Sequence, residues 1–353
     1  MEQRNYKKKE QNYQLKMLMV ILLSIIIGSC YSIESDCGDG DDNFFWESTS
    51  RLPINHSVSI ASNGDIWVGT IDPAIYLSTD NGNTWVQKGV VHSQTQLIAI
   101  NPISGYLFAG TTQNGLFRST NRGESWIQVL TDDSIYPYPT SIAGIFITPS
   151  GEIYCRTYRT IFYSNDNGDT WVEKDNDLPS YVGNGFPSSI GPDGTLYTGT
   201  HYGVYRSTDG GDTWLPPTNY INVVVNDITV SDDGSIFAAT GGYGVPCVLK
   251  STDKGDTWTQ VNDGFGAHSA GTIIYNPITK DLFVTLGIFY NDFSGASYTQ
   301  IYRSTNLGKS WKFTGKLTNS GLPNEPHIYG FAFNPITGQM YVATTGGVYR
   351  SKM

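Results

Sequence analysis

Charged side chains are scarce in this chain of 353 residues, where they make up 15% of the sequence. Cysteine is scarcer, with four residues at irregular spacing, so we predict neither a disulfide framework nor a zinc site. The five histidines are scattered, and no P-loop or dinucleotide-binding fingerprint is present, so we expect no metal and no cofactor. In contrast, 13% of the residues are aromatic and 39 are glycine, which is typical of a β-rich extracellular domain with many tight turns.

Long hydrophobic runs are also missing, because a bilayer-spanning helix needs roughly 20 apolar residues. The longest run, Met17–Ile27, follows a lysine-rich segment and ends at small residues. A basic segment, a short apolar segment and small residues together predict a secretory signal over residues 1–29.

The four residues 27–30 (I-G-S-C) resemble the bacterial lipobox, in which the cysteine is acylated and becomes the new N-terminus. This resemblance implies lipidation at Cys30 and an exported lipoprotein of the outer membrane or the cell surface. An ordinary signal peptide with a coincident cysteine is the alternative. Residues 30–43 are acidic and glycine-rich, which predicts a flexible tether. They are also similar to the acidic surface-export signals of Bacteroidetes lipoproteins.

The charge balance argues against nucleic acid as a partner. The whole chain has a formal charge of −10, and its first 29 residues hold five basic and two acidic side chains, so the remainder carries −13. Such a surface repels phosphate backbones and anionic lipids. We therefore expect contact with a membrane only through the lipid anchor.

An internal repeat dominates the sequence from residue 44 onward. Its six copies are S-T-D-N-G-N-T-W (78–85), S-T-N-R-G-E-S-W (119–126), S-N-D-N-G-D-T-W (164–171), S-T-D-G-G-D-T-W (207–214), S-T-D-K-G-D-T-W (251–258) and S-T-N-L-G-K-S-W (304–311). This pattern resembles the Asp-box, or BNR, repeat of the sialidase-like propellers. The Asp or Asn can close the turn, the glycine supplies a positive φ angle, and the tryptophan offers a large apolar face.

The predicted structural box residues are therefore the third and eighth of each copy. They are Asp80, Trp85, Asn121, Trp126, Asp166, Trp171, Asp209, Trp214, Asp253, Trp258, Asn306 and Trp311.

The spacing of strand-like segments around the boxes predicts an all-β fold of four-stranded antiparallel blades. Six boxes alone would give six blades. However, the chain ends on a third strand, residues 347–351, and residues 44–46 supply a tryptophan-bearing fourth strand at the start of the domain. We therefore predict a seven-bladed β-propeller over residues 44–353, closed by the N-terminal strand. Six or eight blades are the alternatives.

Antiparallel blades place the boxes on one face of the ring and the second-to-third-strand loops on the other, around the mouth of the central channel. The mouth loops are rich in aromatic and polar residues, which suit the stacking of sugar rings and also suit protein partners. The predicted ligand-binding residues are Tyr158, Arg159, His201, Tyr202, Tyr243, Phe289 and Tyr290.

Sialidases share the box, and that family holds a carboxylate with three arginines. Residues 50–53 (S-R-L-P) look similar to its N-terminal arginine motif, but the Leu-Pro pair recurs in two other blade connections. Apart from the signal segment, the S-R-L-P segment and the boxes themselves, only Arg156 and Arg159 lie outside the repeated positions. A three-arginine site is therefore not predicted. The repeated arginines, beside the boxes, are Arg118, Arg206, Arg303 and Arg350.

Another glycoside hydrolase remains an alternative, because Asp-box propellers also include glucan-cleaving enzymes with two carboxylates across the scissile bond. Asp227 begins an inner strand where other blades carry small or apolar residues, and its pKa would rise if it faced the channel. Asp292 and Asp72 are the candidate partners. A solvated aspartate at a strand start is the structural alternative for Asp227.

The sequence is thus consistent with three functions. The first is a monomeric, non-catalytic surface lipoprotein that binds glycan or protein. The second is a glycoside hydrolase acting on polysaccharide. The third is an assembly factor for a membrane complex, as in the Asp-box lipoprotein that helps to build photosystems, although that relative's arginine-rich patch has no clear counterpart here.

Overall fold

β-Strands are the regular secondary structure of the described part of the chain, which contains no helix. The computed structural model describes the backbone of residues 45–49, 52, 55–91, 93–131, 140–157, 160–174, 177–179, 188–218, 223–241, 248–265, 269–289, 296–315, 317 and 327–352. Side chains are described for these residues except 55, 56, 288, 289 and 296–299.

The strands follow one another along the chain in antiparallel order. They are β1 (Trp46–Ser48), β2 (Asn55–Ile60), β3 (Ile66–Thr70), β4 (Ala74–Ser78), β5 (Val86–Val90), β6 (Thr95–Ile100), β7 (Leu107–Thr111), β8 (Leu116–Ser119), β9 (Ile127–Leu130), β10 (Ile142–Ile147), β11 (Ile153–Thr157), β12 (Ile161–Ser164), β13 (Val172–Glu173), β14 (Ser188–Ile190), β15 (Leu196–Thr200), β16 (Gly203–Ser207), β17 (Val224–Val230), β18 (Ile236–Gly241), β19 (Val248–Ser251), β20 (Thr259–Gln260), β21 (Ser269–Asn276), β22 (Asp281–Phe289), β23 (Ala296–Ser304), β24 (Lys312–Phe313), β25 (Ile328–Phe333), β26 (Met340–Thr344) and β27 (Gly347–Ser351).

Seven sheets form the ring, and we number the blades in chain order. Blades 1 to 6 begin at β2, β6, β10, β14, β17 and β21, and blade 7 consists of β25, β26, β27 and β1. The seven-bladed all-β propeller predicted from the repeat is confirmed. The first strands of blades 2 to 7 contribute lining residues to the cavity in the central channel. We call the side with the boxes the box face and the opposite side the mouth face.

The N-terminal strand completes the last blade, as predicted. β1 pairs with β27 in the register Trp46↔Ser351 and Ser48↔Tyr349. The Trp46 side chain is buried, and its indole N–H donates to Thr314 Oγ1 of blade 6 at 2.9 Å. Ring closure therefore joins the two ends of the domain and pairs the outer edge of β27.

Blade 4 departs from the four-stranded pattern, since its described sheet holds three strands. An isolated bridge between Arg206 and Leu215 stands where its fourth strand would run. Pro216 and Pro217 follow immediately, and proline has no N–H to donate to a ladder. The prolines thus end the fourth strand at its first residue.

The hydrophobic core is divided into seven clusters, each of which lies between two adjacent blades. In every blade the second strand contributes a large aromatic side chain to the interface with the next blade. The seven are Trp67, Phe108, Tyr154, Tyr197, Phe237, Phe283 and Tyr341. The cluster of Tyr341 includes Val58 and Ile66 of blade 1, so the ring closes through packing as well as through pairing.

The boxes share one hydrogen-bond network. In the first box, Gly82 N donates to Ser78 Oγ at 2.8 Å, and Asp80 Oδ1 accepts from Thr84 N at 2.8 Å. The Thr84 hydroxyl donates to Asp80 Oδ2 at 2.6 Å. These bonds, with Thr84 first, lower the pKa of Asp80 to about 2. The two Asn boxes keep the backbone bond but reverse the side-chain one, since Asn121 Nδ2 donates to Ser125 Oγ.

The box glycines meet a second requirement besides positive φ. A Cβ on Gly123 would lie 3.0 Å from the Trp67 ring of blade 1, and one on Gly168 would lie 3.3 Å from Phe108 of blade 2. At these two positions the second-strand aromatic residue therefore packs beneath the box turn of the next blade. Both the turn geometry and the close approach require glycine here.

The repeated arginines beside the boxes connect neighbouring blades. Arg118 donates to Asn167 O at 2.6 Å and to Asp169 Oδ1 at 2.8 Å, both in the next box. Arg206 and Arg350 make the equivalent bonds, to blades 5 and 1. Arg303 differs, because it pairs with Asp281 of its own blade. These contacts give most of the repeated arginines a structural role.

Candidate functional site

A described cavity with a volume of about 470 Å³ lies in the central channel, where the first strands of blades 2 to 7 contribute lining residues. Aromatic, small polar and charged groups line it together. Its wall includes Phe146, Tyr154, Arg156, Ile161, Ser188, Leu196, Tyr197, Trp214, Asn226, Asp227, Thr272, Tyr329 and Phe331. Such a mixture of flat apolar faces and hydrogen-bonding groups is typical of ligand sites.

Asp227 lies on β17 and is the one carboxylate among the described lining residues. Burial of its carboxyl group in the channel wall raises its pKa to about 7. The backbone N–H groups of Ile273 and Ile228 donate to its two carboxylate oxygens, each at 2.9 Å, and oppose that rise. Near neutral pH the carboxyl group of Asp227 is therefore partly protonated.

The same residue belongs to a seam between blades 5 and 6. Asn226 Nδ2 donates to Ala270 O at 2.7 Å, and Thr229 Oγ1 accepts from Tyr275 N at 3.1 Å. A bulge in β21 between Ala270 and Ile273 interrupts its pairing with β22. Polar side chains of β17 thus satisfy backbone groups of the neighbouring inner strand, and Asp227 has a structural role as well as a position in the channel.

Arg156 lies on β11, and its side chain is 3% exposed. It occupies the fourth position of the second strand, counted from the residue that pairs with the box serine. The other six blades have small residues there. They are Gly69, Gly110, Gly199, Ala239, Thr285 and Ala343. The sequence marks Arg156 as outside the repeat, but its place in the channel wall appears only in the structure.

The predicted ligand-binding residues are only partly described. His201 and Tyr202 form the blade 4 loop on the mouth face, where Tyr202 is 40% exposed and its N–H donates to Thr200 Oγ1. Phe289 ends β22, and its side chain lies outside the described residues. Four further predicted residues lie outside the described part of the chain: Tyr158, Arg159, Tyr243 and Tyr290.

Of the two candidate catalytic partners of Asp227, Asp72 is described and does not line the cavity. Asp72 is exposed in the blade 1 loop, where its carbonyl accepts from Ala74 N and from the Thr70 hydroxyl. Asp292 and the lipidation candidate Cys30 lie outside the described residues. In the part of the chain that the structure covers, no group of three metal-binding side chains occurs.

Sequence reasoning missed most of the channel wall. Tyr154, Tyr197 and Phe331 look like ordinary strand residues, and only the blade register shows that they reach the channel. A usable signal was present at Arg156, since aligning the seven second strands exposes one arginine among small residues. That alignment requires the strand register and not only the boxes.

Comparison with solved structures shows the propeller fold, at low sequence identity. YCF48 bound to a D1 peptide aligns over 89% of this chain and 96% of its own length, with a TM-score of 0.64 and 14% identity. An ancestral GH74 enzyme aligns over 85% of this chain, with a TM-score of 0.65 and 19% identity. The extracellular domain of a hybrid two-component system from B. thetaiotaomicron aligns over 87%, with a TM-score of 0.67 and 13% identity.

Coverage of those proteins differs widely. The matched region spans only 44% of the GH74 enzyme and 41% of the two-component protein. No protein-family model and no curated protein matches the chain. Among the residues with described structure, none forms a helix long and apolar enough to cross a membrane.

Proposed function

We propose that this protein is an exported, lipid-anchored propeller that binds an extracellular glycan or protein at its channel and mouth, without catalysis. The observation that carries the proposal is the composition of the channel wall, in which Tyr329 and Phe331 line the same cavity as Asn226 and Thr272. Rigid aromatic faces suit sugar rings and peptide side chains, and the amide and hydroxyl groups fix orientation. The anchor is Cys30, and the acidic residues 30–43 act as the tether.

The neighbouring structures support a binding role on a related ring. They include a peptide-bound protein and the extracellular domain of a two-component system. These likenesses concern the fold, and function depends on the site. The channel composition therefore carries more weight in the proposal than the neighbours do.

A binding role is favoured over hydrolysis because Asp227 has no described carboxylate partner in the cavity. Glycoside hydrolysis needs two carboxyl groups about 5 to 10 Å apart. In addition, both oxygens of Asp227 accept backbone N–H groups, which ties the side chain to the seam between blades 5 and 6.

Hydrolysis is the second candidate, favoured by one observation. A carboxyl group with a pKa of about 7 is suited to act as a general acid near neutral pH. One of the similar structures is also a GH74 enzyme. An assembly role is the third candidate, and the similarity to YCF48 is its support.

The deciding experiment is a panel of polysaccharides and peptides, tested for both retention and cleavage by the purified protein. We expect retention without cleavage, read by affinity electrophoresis and by mass spectrometry of the products. Cleavage that Asp227→Asn abolishes and Asp72→Asn leaves intact would establish the hydrolase instead. Neither retention nor cleavage would overturn the binding proposal for both ligand classes.

A further inference from the structure

The first strands supply the part of the cavity lining that a ligand can reach. Six lining residues from the second strand onward are at most 7% exposed, so they lie behind the surface that a ligand meets. Every first-strand residue of the lining keeps a larger part of its surface open. These first-strand residues are Leu97, Ala143, Gly144, Ile145, Phe146, Ser188, Ser189, Asn226, Asp227, Thr272, Tyr329 and Phe331.

This accessible lining has an apolar side and a polar side. Blades 7, 2 and 3 supply aromatic and aliphatic groups, which are Tyr329, Phe331, Leu97, Ala143, Ile145 and Phe146. Blades 4, 5 and 6 supply hydroxyl, amide and carboxyl groups, which are Ser188, Ser189, Asn226, Asp227 and Thr272. Because blades 4 to 6 are neighbours and the other blades complete the ring, the two kinds of group occupy opposite arcs of the channel.

The aromatic groups of the apolar side are held in place by packing. Phe331 packs against the core cluster of blades 6 and 7, and Phe146 packs against the cluster of blades 3 and 4. The ring of Tyr329 meets the ring of His327 edge to face, with centroids 4.8 Å apart. Rings held in this way present flat faces to a ligand at a low cost in conformational entropy.

The polar side is also held in place, and it keeps hydrogen-bonding capacity. Each carboxylate oxygen of Asp227 accepts one backbone N–H group, and a carboxylate has about four acceptor sites, so about two remain for hydroxyl groups of a ligand. The Asn226 side chain is fixed by its bond to Ala270 O. The hydroxyl groups of Ser188 and Thr272 are of a type that can both donate and accept. This side therefore suits a ligand that presents several hydroxyl groups in one direction.

We propose that the channel binds a terminal sugar in the galacto configuration, with its C–H face on Phe331 and Tyr329 and its hydroxyl groups toward the side of Asp227. In a galacto-configured ring the O4 hydroxyl is axial, so one face is a continuous C–H surface and the other carries a hydroxyl group. In a gluco-configured ring all the ring hydroxyl groups lie at the edge, so its two faces are alike and suit two aromatic walls.

The size of the cavity agrees with a chain end as the ligand. A volume of about 470 Å³ is in the lower half of the range for small-molecule sites, which favours one end of a glycan over a longer segment. This sugar class rests on the glycan-binding function proposed above, and it narrows that function to one configuration at C4.

The test compares lactose with cellobiose, two disaccharides that differ only in the configuration at C4 of the non-reducing ring. Calorimetry on the full chain at pH 8, where Asp227 is ionised, should show that lactose binds about tenfold more tightly, because a hydrogen bond to a charged group is worth about that factor. Equal affinities, or a preference for cellobiose, would overturn the galacto configuration. Binding of neither sugar at about 10 mM would overturn the sugar ligand itself.

Variants locate the sugar within the channel. Phe331→Leu removes an aromatic face and should weaken lactose binding about fivefold, whereas Phe313→Leu, on the outer strand β24, should leave it unchanged. Thr272→Val should reduce the preference for lactose, and the exposed control Thr259→Val should keep it. Unchanged lactose binding in both channel variants would overturn the assigned site.

Two further readings keep the outcomes distinct. If Phe331→Leu does not fold, the wild-type comparison of the two sugars and the pair of threonine variants still decide the question. Retention of a glucan or a peptide in the ligand panel, without a preference for lactose, would overturn the galacto configuration and leave the broader binding function standing.

Discussion

Asp227 illustrates how the ring changes the chemistry of a single residue. An aspartate in an unfolded chain has a pKa of about 3.9, whereas burial in the channel raises the pKa of Asp227 to about 7. At a pH between these two pKa values, Asp227 is protonated in the folded protein and ionised in the unfolded chain. This group therefore favours folding most below pH 4, and its contribution falls as the pH rises toward 7.

We predict that Asp227→Asn removes a pH dependence of the free energy of unfolding. The contribution of Asp227 should fall by up to about 4 kcal/mol between pH 4 and 7, since each unit of pKa difference corresponds to about 1.4 kcal/mol. The measurement is urea unfolding at pH 4 to 8 for the wild type, for Asp227→Asn and for the exposed control Asp72→Asn. An unchanged slope in Asp227→Asn would show that another group titrates.

At the scale of the element, the box turn at Gly123 also packs against the aromatic side chain of the preceding blade. Gly123 and Gly234 both have a φ of +80°, but they differ in their surroundings. A Cβ on Gly123 would meet Trp67 at 3.0 Å, whereas one on Gly234, in a first turn, would have its nearest contact at 3.9 Å with Pro192. A comparison of alanine variants at these two glycines therefore separates the cost of backbone strain from the cost of tight packing.

We expect Gly123→Ala to lower the free energy of unfolding more than Gly234→Ala does. Both variants place alanine at positive φ, which costs about 1–2 kcal/mol. Only Gly123→Ala adds overpacking against the ring of Trp67, worth about 1–3 kcal/mol more. Denaturant unfolding of the two variants measures the difference, and equal losses would mean that the turn alone requires glycine.

At the scale of the whole molecule, closure of the ring depends on β1. Its residues lie some 300 positions before those of β27, the strand with which it pairs. The Trp46 side chain packs against Phe283 of blade 6, with ring centroids 6.3 Å apart, and it also packs within the cluster of blade 7. Both termini of the propeller are thereby held by the same interface.

We predict that Trp46→Ala destabilises the protein by about 3–5 kcal/mol, the usual loss for a buried aromatic side chain. Hydrogen exchange should increase first in β25, β26 and β27, because blade 7 loses its outer strand. Trp126→Ala, in a box whose tryptophan is only partly buried, is the control and should cost less. Uniform loss of protection across all blades would show that the ring unfolds as one unit without local opening.

The fold could be predicted from sequence because its determinants are local and repeated. Six box turns, the strand alternation around them and a tryptophan-bearing segment ahead of the first box together specify blade number and closure. The exception in blade 4 also has a local cause, in Pro216 and Pro217. These features depend on backbone angles and hydrogen-bond donors, which neighbouring residues determine.

The site could be predicted only in part. The carboxyl group of Asp227 stands out in the sequence. However, its hydrogen bond from Ile273 N and its raised pKa depend on β21, in which Ile273 lies 46 residues after Asp227. The burial of Arg156 in the wall of the cavity depends on how the inner parts of the blades pack together, which no local pattern encodes. The sequence by itself determined the ring, since turns and strands are short-range. Only the tertiary structure decided which side chains share the channel, because burial and proximity arise when distant blades pack together.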